Sequence, residues 1–265
     1  MKLHGVEETL LIPLWARAYE TTQYKHPLVR DELAVEILQK IDYDFSKFDG
    51  VKLSQIGTAA RSAILDRETR KFLQEHPRAV CINLCAGLDT RFYRVNTAGL
   101  DWYNIDLPDV MQLRAEVLPN EPENVHNIIG SILDKETFAG IDIGGRDVLL
   151  IMEGASMYFT QEDICHLLQL LHDYFPGAVM LMEVMTPFLI RHQKYHDSVG
   201  KYVRAHFIWG VTDGKEMERM KPFVRFCNQW TFYEGFRRRW GIMGLLSLIP
   251  WWNKNVNNKI IQFSI

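Results

Sequence analysis

Residues 79–94 read AVCINLCAGLDTRFYR, and the order of residue types in this stretch decides the fold. The run 79–84 is short, β-rich and nearly all apolar, and it stops at a turn signal, Ala86-Gly87. A backbone that turns sharply and must approach something closely needs a residue without a Cβ, which Gly87 supplies. Working outward, similar runs recur at 102–105, closed by Asp106, and at 125–129, 147–153 and 178–183. The run 147–153 (DVLLIME) has almost no polar face, as expected of a strand covered on both sides in a parallel sheet. Residues 161–175 carry Ile164, Leu167, Leu168 and Leu171 at helical spacing and end at Pro176-Gly177. Strands alternating with helices predict an open α/β sheet with right-handed crossovers.

On the N-terminal side the texture is helical. Residues 31–40 put Leu33, Ile37 and Leu38 on one face, with acids first and a base last. An Asp- and Gly-rich loop follows, and then a helix from about 54 to 75 that His76-Pro77 ends. On the C-terminal side a helix is expected over 188–203. The stretch 203–225 has no clear period and reads as a lid or loop, and 259–265 reads as a terminal strand. With no internal repeat and no linker, one domain is expected: a helical cap (1–76), a core (77–186), and a substrate-side lid with terminal strands (187–265).

Composition narrows the function classes. The 265 residues are 47% hydrophobic and 24% charged, which suits a folded domain and excludes collagen-like or disordered chains. Thirty Lys and Arg against 33 Asp and Glu give a net charge of −3, so no general basic field exists for a nucleic acid. Cys81, Cys85, Cys165 and Cys227 form neither a disulfide framework nor a zinc spacing. The longest apolar stretch, 241–252 (GIMGLLSLIPWW), is too short to span a bilayer and contains a proline. Without a basic n-region followed by an apolar h-region among the first residues, no secretory signal is expected. A cytoplasmic protein without membrane or nucleic-acid partner is therefore expected. The unusual figure is aromatic: 12%, with most of the seven tryptophans after residue 200.

In such a sheet a ligand binds at the carboxyl ends of the strands, at the switch point. Asp106 follows Gly87 by nineteen residues and ends the second strand, where a carboxylate can accept both hydroxyls of a ribose. A tight strand–helix turn would use Gly87 in any α/β protein, so the pair points to a nucleoside cofactor without fixing it. A dinucleotide would want G-x-G-x-x-G; one glycine is present here, and Asp89 stands where a phosphate would be repelled. A cofactor with a ribose, no phosphate at the turn and positive charge fits better, and S-adenosylmethionine meets that description beside Asp89 or Glu153. A nicotinamide-dependent oxidoreductase stays as an alternative.

Residues 83–94 (NLCAGLDTRFYR) resemble the signature L-G-A-G-x-D-T-x-x-x-R of the leucine carboxyl methyltransferase and polyketide O-methyltransferase family. Trp15-Ala-Arg-Ala-Tyr-Glu20, Asp42-Tyr-Asp-Phe45, Arg61, Ile105-Asp106-Leu-Pro and Met152-Glu-Gly-Ala-Ser-Met-Tyr158 follow in family order, so the resemblance covers most of the chain. It looks more like the small-molecule branch than the branch that esterifies a protein phosphatase. The resemblance implies a Rossmann-like class I methyltransferase fold, a mainly parallel seven-stranded sheet with an N-terminal helical extension. It implies that Gly87 lies against the amino-acid part of S-adenosylmethionine and that Asp106 takes the ribose. Arg61, with Arg17 as a looser match, would meet the cofactor carboxylate, and Glu153 its ammonium. Ser131 and Ile132 would lie beside the adenine, and Tyr158 on the substrate side. Cys85 departs from the family's glycine. It reads either as a tolerated small residue or as a nucleophile, although no neighbouring His in the sequence supports the latter.

The other candidates are few. His192 and His196 sit four apart without the glutamate of H-E-x-x-H; they read as a solvated or substrate-facing helix sooner than a metal pair. Arg237-Arg-Arg239 reads as a solvated face or an anionic-substrate contact. The aromatic residues of 207–252 read as packing or as walls of an acceptor pocket. After the fourth strand stands Glu-Gly-Ala-Ser in place of an Asn/Asp-Pro-Pro-Tyr or Pro-Cys motif, which argues against base methylation. The expected activity is methyl transfer from S-adenosylmethionine to a carboxylate or phenolic hydroxyl of a small apolar molecule. The alternative is a protein of the same fold that binds the cofactor without catalysis.

Overall fold

The computed structural model describes residues 6–95, 99–195 and 206–265. Its centre is a seven-stranded sheet: β1 (Val80–Leu84), β2 (Trp102–Asp106), β3 (Val125–Ile129), β4 (Val148–Met152), β5 (Val179–Val184), β6 (Arg225–Thr231) and β7 (Lys259–Ser264). The spatial order is β3-β2-β1-β4-β5-β7-β6. The pairs among β1 to β5 are parallel, and β7 runs antiparallel between β5 and β6. Three helices precede the sheet, α1 (Val6–Gln23), α2 (Glu32–Lys40) and α3 (Lys52–Glu75). Within it come α4 (Arg91–Arg94) after β1, α5 (Pro108–Val117) after β2 and α6 (Gln161–Tyr174) between β4 and β5. Beyond β5 lie α7 (Pro187–Arg191), α8 (Lys215–Glu218), α9 (Ile242–Leu246) and α10 (Pro250–Asn255).

The sequence explains the main elements. All five residues of β1, β2 and β4 are buried, because helices cover both faces of these central strands. Ile82, Leu84, Leu150, Met152 and Met180 pack on one face against α6. Cys81, Leu149, Ile151 and Leu181 pack on the other against Ile64, Leu65 and Phe72 of α3. A third cluster, built on Leu11, Leu14, Trp15, Ala34, Ile37 and Phe48, joins α1 to α2. Helix α6 opens on a capping box in which Thr160 and Asp163 satisfy each other's backbone N–H. Pro108 begins α5, where its missing N–H costs nothing.

Three expectations need correction. The position of strand β6 was not readable within 187–265: as an edge strand it keeps a largely solvated, irregular face with a register shift between Phe226 and Asn228, so it carries no continuous apolar run. The helix expected over 188–203 is a five-residue helix, α7, followed by a turn at Gln193–Tyr195; its remaining positions lie outside the described residues. The loop 41–50 contains a short helical turn, Phe45–Phe48, that buries Phe48.

Candidate cofactor and active site

Strands β1 and β4 are neighbours whose connections leave in opposite directions, so their carboxyl ends leave a crevice. The turn after β1, the end of β2, the turns after β3 and β4, and the end of β5 open into one cavity of about 980 Å³. Helices α1 and α3 roof it, through Leu10 and Arg17 from α1 and Thr58 and Arg61 from α3.

The turn after β1 is held by its neighbours. Cys85 and Gly87 both adopt left-handed backbone, φ 54° and 52°. A Cβ on Gly87 would come 3.1 Å from Leu10 of α1. The Gly87 N–H donates to Asp106 Oδ2 at 2.7 Å, and the Leu107 N–H donates to Oδ1 at 2.8 Å. These bonds tie the β1 turn to the β2 end and aim the Asp106 carboxylate along the cavity wall. Burial raises the Asp106 pKa above the ordinary aspartate value, and the two N–H groups and Arg114 offset this only in part. Arg114 clamps the same turn from behind, donating to the Gly87 and Asp89 carbonyls at 3.2 and 2.9 Å.

Beneath the turn lies a buried ionic network. Arg17 Nε donates to Asp31 at 2.8 Å; Arg94 links Asp31, Asp66 and Asp89; Arg91 links Asp66, Asp89 and Glu153. Arg61 closes the chain between Glu153 (2.8 Å) and Glu183 (2.9 Å). Glu183, at the end of β5, also accepts the Gly154 N–H at 2.6 Å. Five carboxylates thus share four guanidiniums, one acid in excess. Burial opposes ionisation of Glu153, but Arg61 and Arg91 outweigh it and hold the group at about 2. At Glu183 burial wins over Arg61, and the nearby Glu153 charge adds to it, so its pKa lies above the ordinary range.

Arg17, Arg61, Gly87, Asp106, Ser131, Ile132, Glu153, Tyr158 and His192 all line the cavity, whereas His196 lies outside the described residues. Arg17 is tied inward, its Nη2 on the Leu88 carbonyl at 2.8 Å. Asp89, expected with Glu153 to suit a cationic cofactor, lines the cavity, pairs with Arg91 and Arg94 and takes the Asn83 amide as well. Burial, with the Asp106 charge adding, pushes the Cys85 thiol far above the usual range, so it stays protonated and the nucleophile reading fails. Burial lifts the Tyr158 hydroxyl to about 12, too high for a base at neutral pH. His192 stacks on Phe188, with Nδ1 2.7 Å from the Phe188 carbonyl; in the neutral ring Nδ1 donates and Nε2 keeps the lone pair. Among the described residues no cluster of His, Cys, Asp and Glu could hold a metal. Glu183 and Gly154, which also line the cavity, were missed as site residues, and Arg94 was missed as a member of the ionic network beneath the turn. Glu183 closes the apolar run of β5 as Asp106 closes β2, and Arg94 fills the last place of the signature, so both signals were present.

The cavity meets the requirements of S-adenosylmethionine on its own chemistry. A strand-end carboxylate faces it, and an acidic excess matches a ligand with two cationic centres and one carboxylate. The fold and this arrangement define a class I S-adenosylmethionine-dependent methyltransferase. A model of the leucine carboxyl methyltransferase family matches residues 11–172, more than half of the chain, and the chain belongs to that family. It is 30% identical to the tetracenomycin polyketide synthesis O-methyltransferase TcmP of Streptomyces glaucescens, over 88% of this chain and 86% of that protein. It is 26% identical to the S-adenosyl-L-methionine-dependent methyltransferase dpfgK of Gibberella zeae, over 95% and 92%. The fold recurs in a solved SAM-dependent methyltransferase of Anabaena variabilis, with a TM-score of 0.51, 16% identity, and coverage of 65% and 75%.

Proposed function

We propose that the protein methylates an oxygen, a carboxylate ahead of a phenolic hydroxyl, on a small apolar or aromatic molecule of polyketide type. The observation that carries this reading is the apolar part of the cavity lining, which Phe188, Phe207, Tyr233, Trp240 and Met243 supply beside the carboxylates Asp106 and Glu153. Its 980 Å³ stands at the upper end of the roughly 300–1,000 Å³ of small-molecule sites, room for a cofactor and an acceptor side by side. The polyketide O-methyltransferase activity in the name of the Streptomyces relative supports the acceptor class.

S-adenosylmethionine supplies an activated methyl group when bound. The chain's task is then orientation and exclusion of water. Asp106 accepts from the ribose hydroxyls and Gly87 lets the backbone approach. Arg61 and Glu153 trade part of their mutual pairing for the cofactor carboxylate and ammonium, with Arg17 bracing the same end. Ser131 and Ile132 border the adenine. Tyr158 and His192 stand on the acceptor side. A carboxylate acceptor is ionised at neutral pH and asks for no base, which suits a wall whose tyrosine stays protonated. His192 Nε2 is the group that could take a phenolic proton.

The test is a methyl-transfer assay with deuterated-methyl cofactor against aromatic carboxylic acids and phenols, read by mass spectrometry, with calorimetry of the cofactor alongside. Ester formation is expected, with a kcat/KM that is flat between neutral and mildly alkaline pH. Phenol ether as the sole product would overturn the carboxylate reading. Tight cofactor binding without turnover across the panel would favour the non-catalytic alternative.

A further inference from the structure

Among the described residues, five of the eleven large apolar side chains left exposed fall within ten positions: Ile242, Leu245, Leu248, Ile249 and Trp251. They lie on α9, on α10 and on the turn between them, and Ile242 is 76% and Trp251 56% exposed. This is the longest apolar stretch of the sequence. Its outer face is neither core packing nor a pocket wall, the two roles that the sequence offers for the late aromatic residues and that Trp209, Trp230, Tyr233 and Trp240 do fill. Its inner face does belong to the cavity: Met243 and Val256 line the site, and Trp251 stands edge-on to Phe188, a cavity wall, at 5.4 Å. One segment therefore offers apolar surface to solvent outside and to the acceptor space inside.

Its charge is equally one-sided. Residues 237–254 carry Arg237, Arg238, Arg239 and Lys254 and no acid, in a chain of net charge −3. Arg239 turns inward to Glu20 and stacks over Tyr24. Arg237 and Arg238 are exposed, and so is Lys254, whose Nζ lies 3.9 Å from Asp213. Exposed Ile, Leu and Trp flanked by basic residues are the composition of a segment that lies in a lipid interface. Such binding needs no membrane-spanning length, so the shortness of 241–252 does not exclude it.

We propose that residues 237–254 are an interfacial anchor that docks the mouth of the cavity on an anionic bilayer. The bilayer fits better than a second copy of the chain. A two-fold contact through this patch would set basic residues against their own copies, with no acid in the segment to pair them. Anionic headgroups over an acyl layer supply both the negative charge and the apolar depth. An apolar acceptor dissolved in the bilayer could then enter along Trp251 and Met243. That route rests on the methyltransferase reading given above, whereas the docking itself does not.

The experiment is vesicle flotation without cofactor, using phosphatidylcholine alone and phosphatidylcholine mixed with phosphatidylglycerol. The wild-type protein is expected to float with the mixed vesicles, to be released by high salt, and to show tryptophan quenching by brominated lipid. Leu245→Asp/Leu248→Asp is expected to lose at least about tenfold in partition, and Arg237→Glu/Arg238→Glu a similar amount on the mixed vesicles. Both variants change exposed or partly exposed positions, and an unchanged thermal melt certifies their fold. Absence of flotation, or equal flotation of Leu245→Asp/Leu248→Asp, overturns the proposal. A dimer in sedimentation velocity that this variant dissolves, without vesicle binding, assigns the patch to a second copy and overturns it too. Intact flotation beside failed methyl transfer would sink the proposed activity alone.

Discussion

Cys85 is the one non-glycine residue with left-handed backbone among the described residues, at φ 54°. A side chain there costs about 1–2 kcal/mol, because its Cβ crowds the following carbonyl oxygen. Glycine would relieve that strain but lose about 0.5–1 kcal/mol to greater freedom in the unfolded chain. Cys85 also packs against the main apolar cluster, which tempers the gain. Cys85→Gly should thus raise stability by about 0.5 kcal/mol, read from the urea midpoint, and bring cofactor affinity up with it in calorimetry. A lower midpoint would mean that the thiol's packing outweighs the strain. The departure from the family signature was legible as a substitution. Its physical content was not, since a sequence carries no φ. Gly87 and Asp106 were legible because each sits at the end of an apolar run, where residue type and position alone define the job. The neutralisation of Asp89 was not, because its partners Arg91 and Arg94 could as well have faced solvent.

At the scale of elements, legibility follows burial. The central strands were visible as unbroken apolar runs because both faces are covered, and α6 because one face is. Strand β6 was hidden because an edge strand mixes exposed and half-buried residues without a strict period. The same logic hid the role of α3. Its helical period was plain, but the register that brings Arg61 between the ends of β4 and β5 is a tertiary fact. That register has a measurable weight. Arg61 sits between Glu153 and Glu183, and its guanidinium lies over Gly154, where a Cβ would come within 3.2 Å of Nη2. Removing the cation while keeping its volume leaves two buried carboxyls without their shared partner, which typically costs about 3 kcal/mol or more. Arg61→Met should therefore lower Tm and abolish the rise in Tm that S-adenosylmethionine gives the wild type. Arg61→Lys should keep more of the stability than of the ligand response, because an ammonium holds charge without the two-pronged geometry. A Met variant with an undiminished ligand-induced shift would remove Arg61 from the cofactor site.

Across the whole molecule, composition states a net charge of −3 and says nothing of where it lies. The structure separates the signs: an acidic excess under the cofactor turn, and a basic, apolar rim at residues 237–254. The buried network makes the fold sensitive to acid in a defined way. Glu153 has its folded pKa depressed to about 2 from the ordinary 4.5, because Arg61 and Arg91 outweigh burial. A carboxyl depressed by folding stabilises the native state in full above its unfolded value, and that contribution disappears as pH falls through the folded one. The window for Glu153 is thus from about 4.5 down to about 2. Glu183 acts in the opposite sense: its pKa is raised by burial, so its ionisation opposes folding as pH rises past the ordinary glutamate value. Glu153→Gln cannot titrate, so its stability should be lower than wild type at neutral pH and should fall less steeply between pH 4.5 and 2. Urea denaturation at a series of pH values measures both curves. Parallel curves for variant and wild type would show that Glu153 is not ionised against Arg61 and Arg91, and with it the assignment of a single excess acid to the cofactor's cationic end would fail.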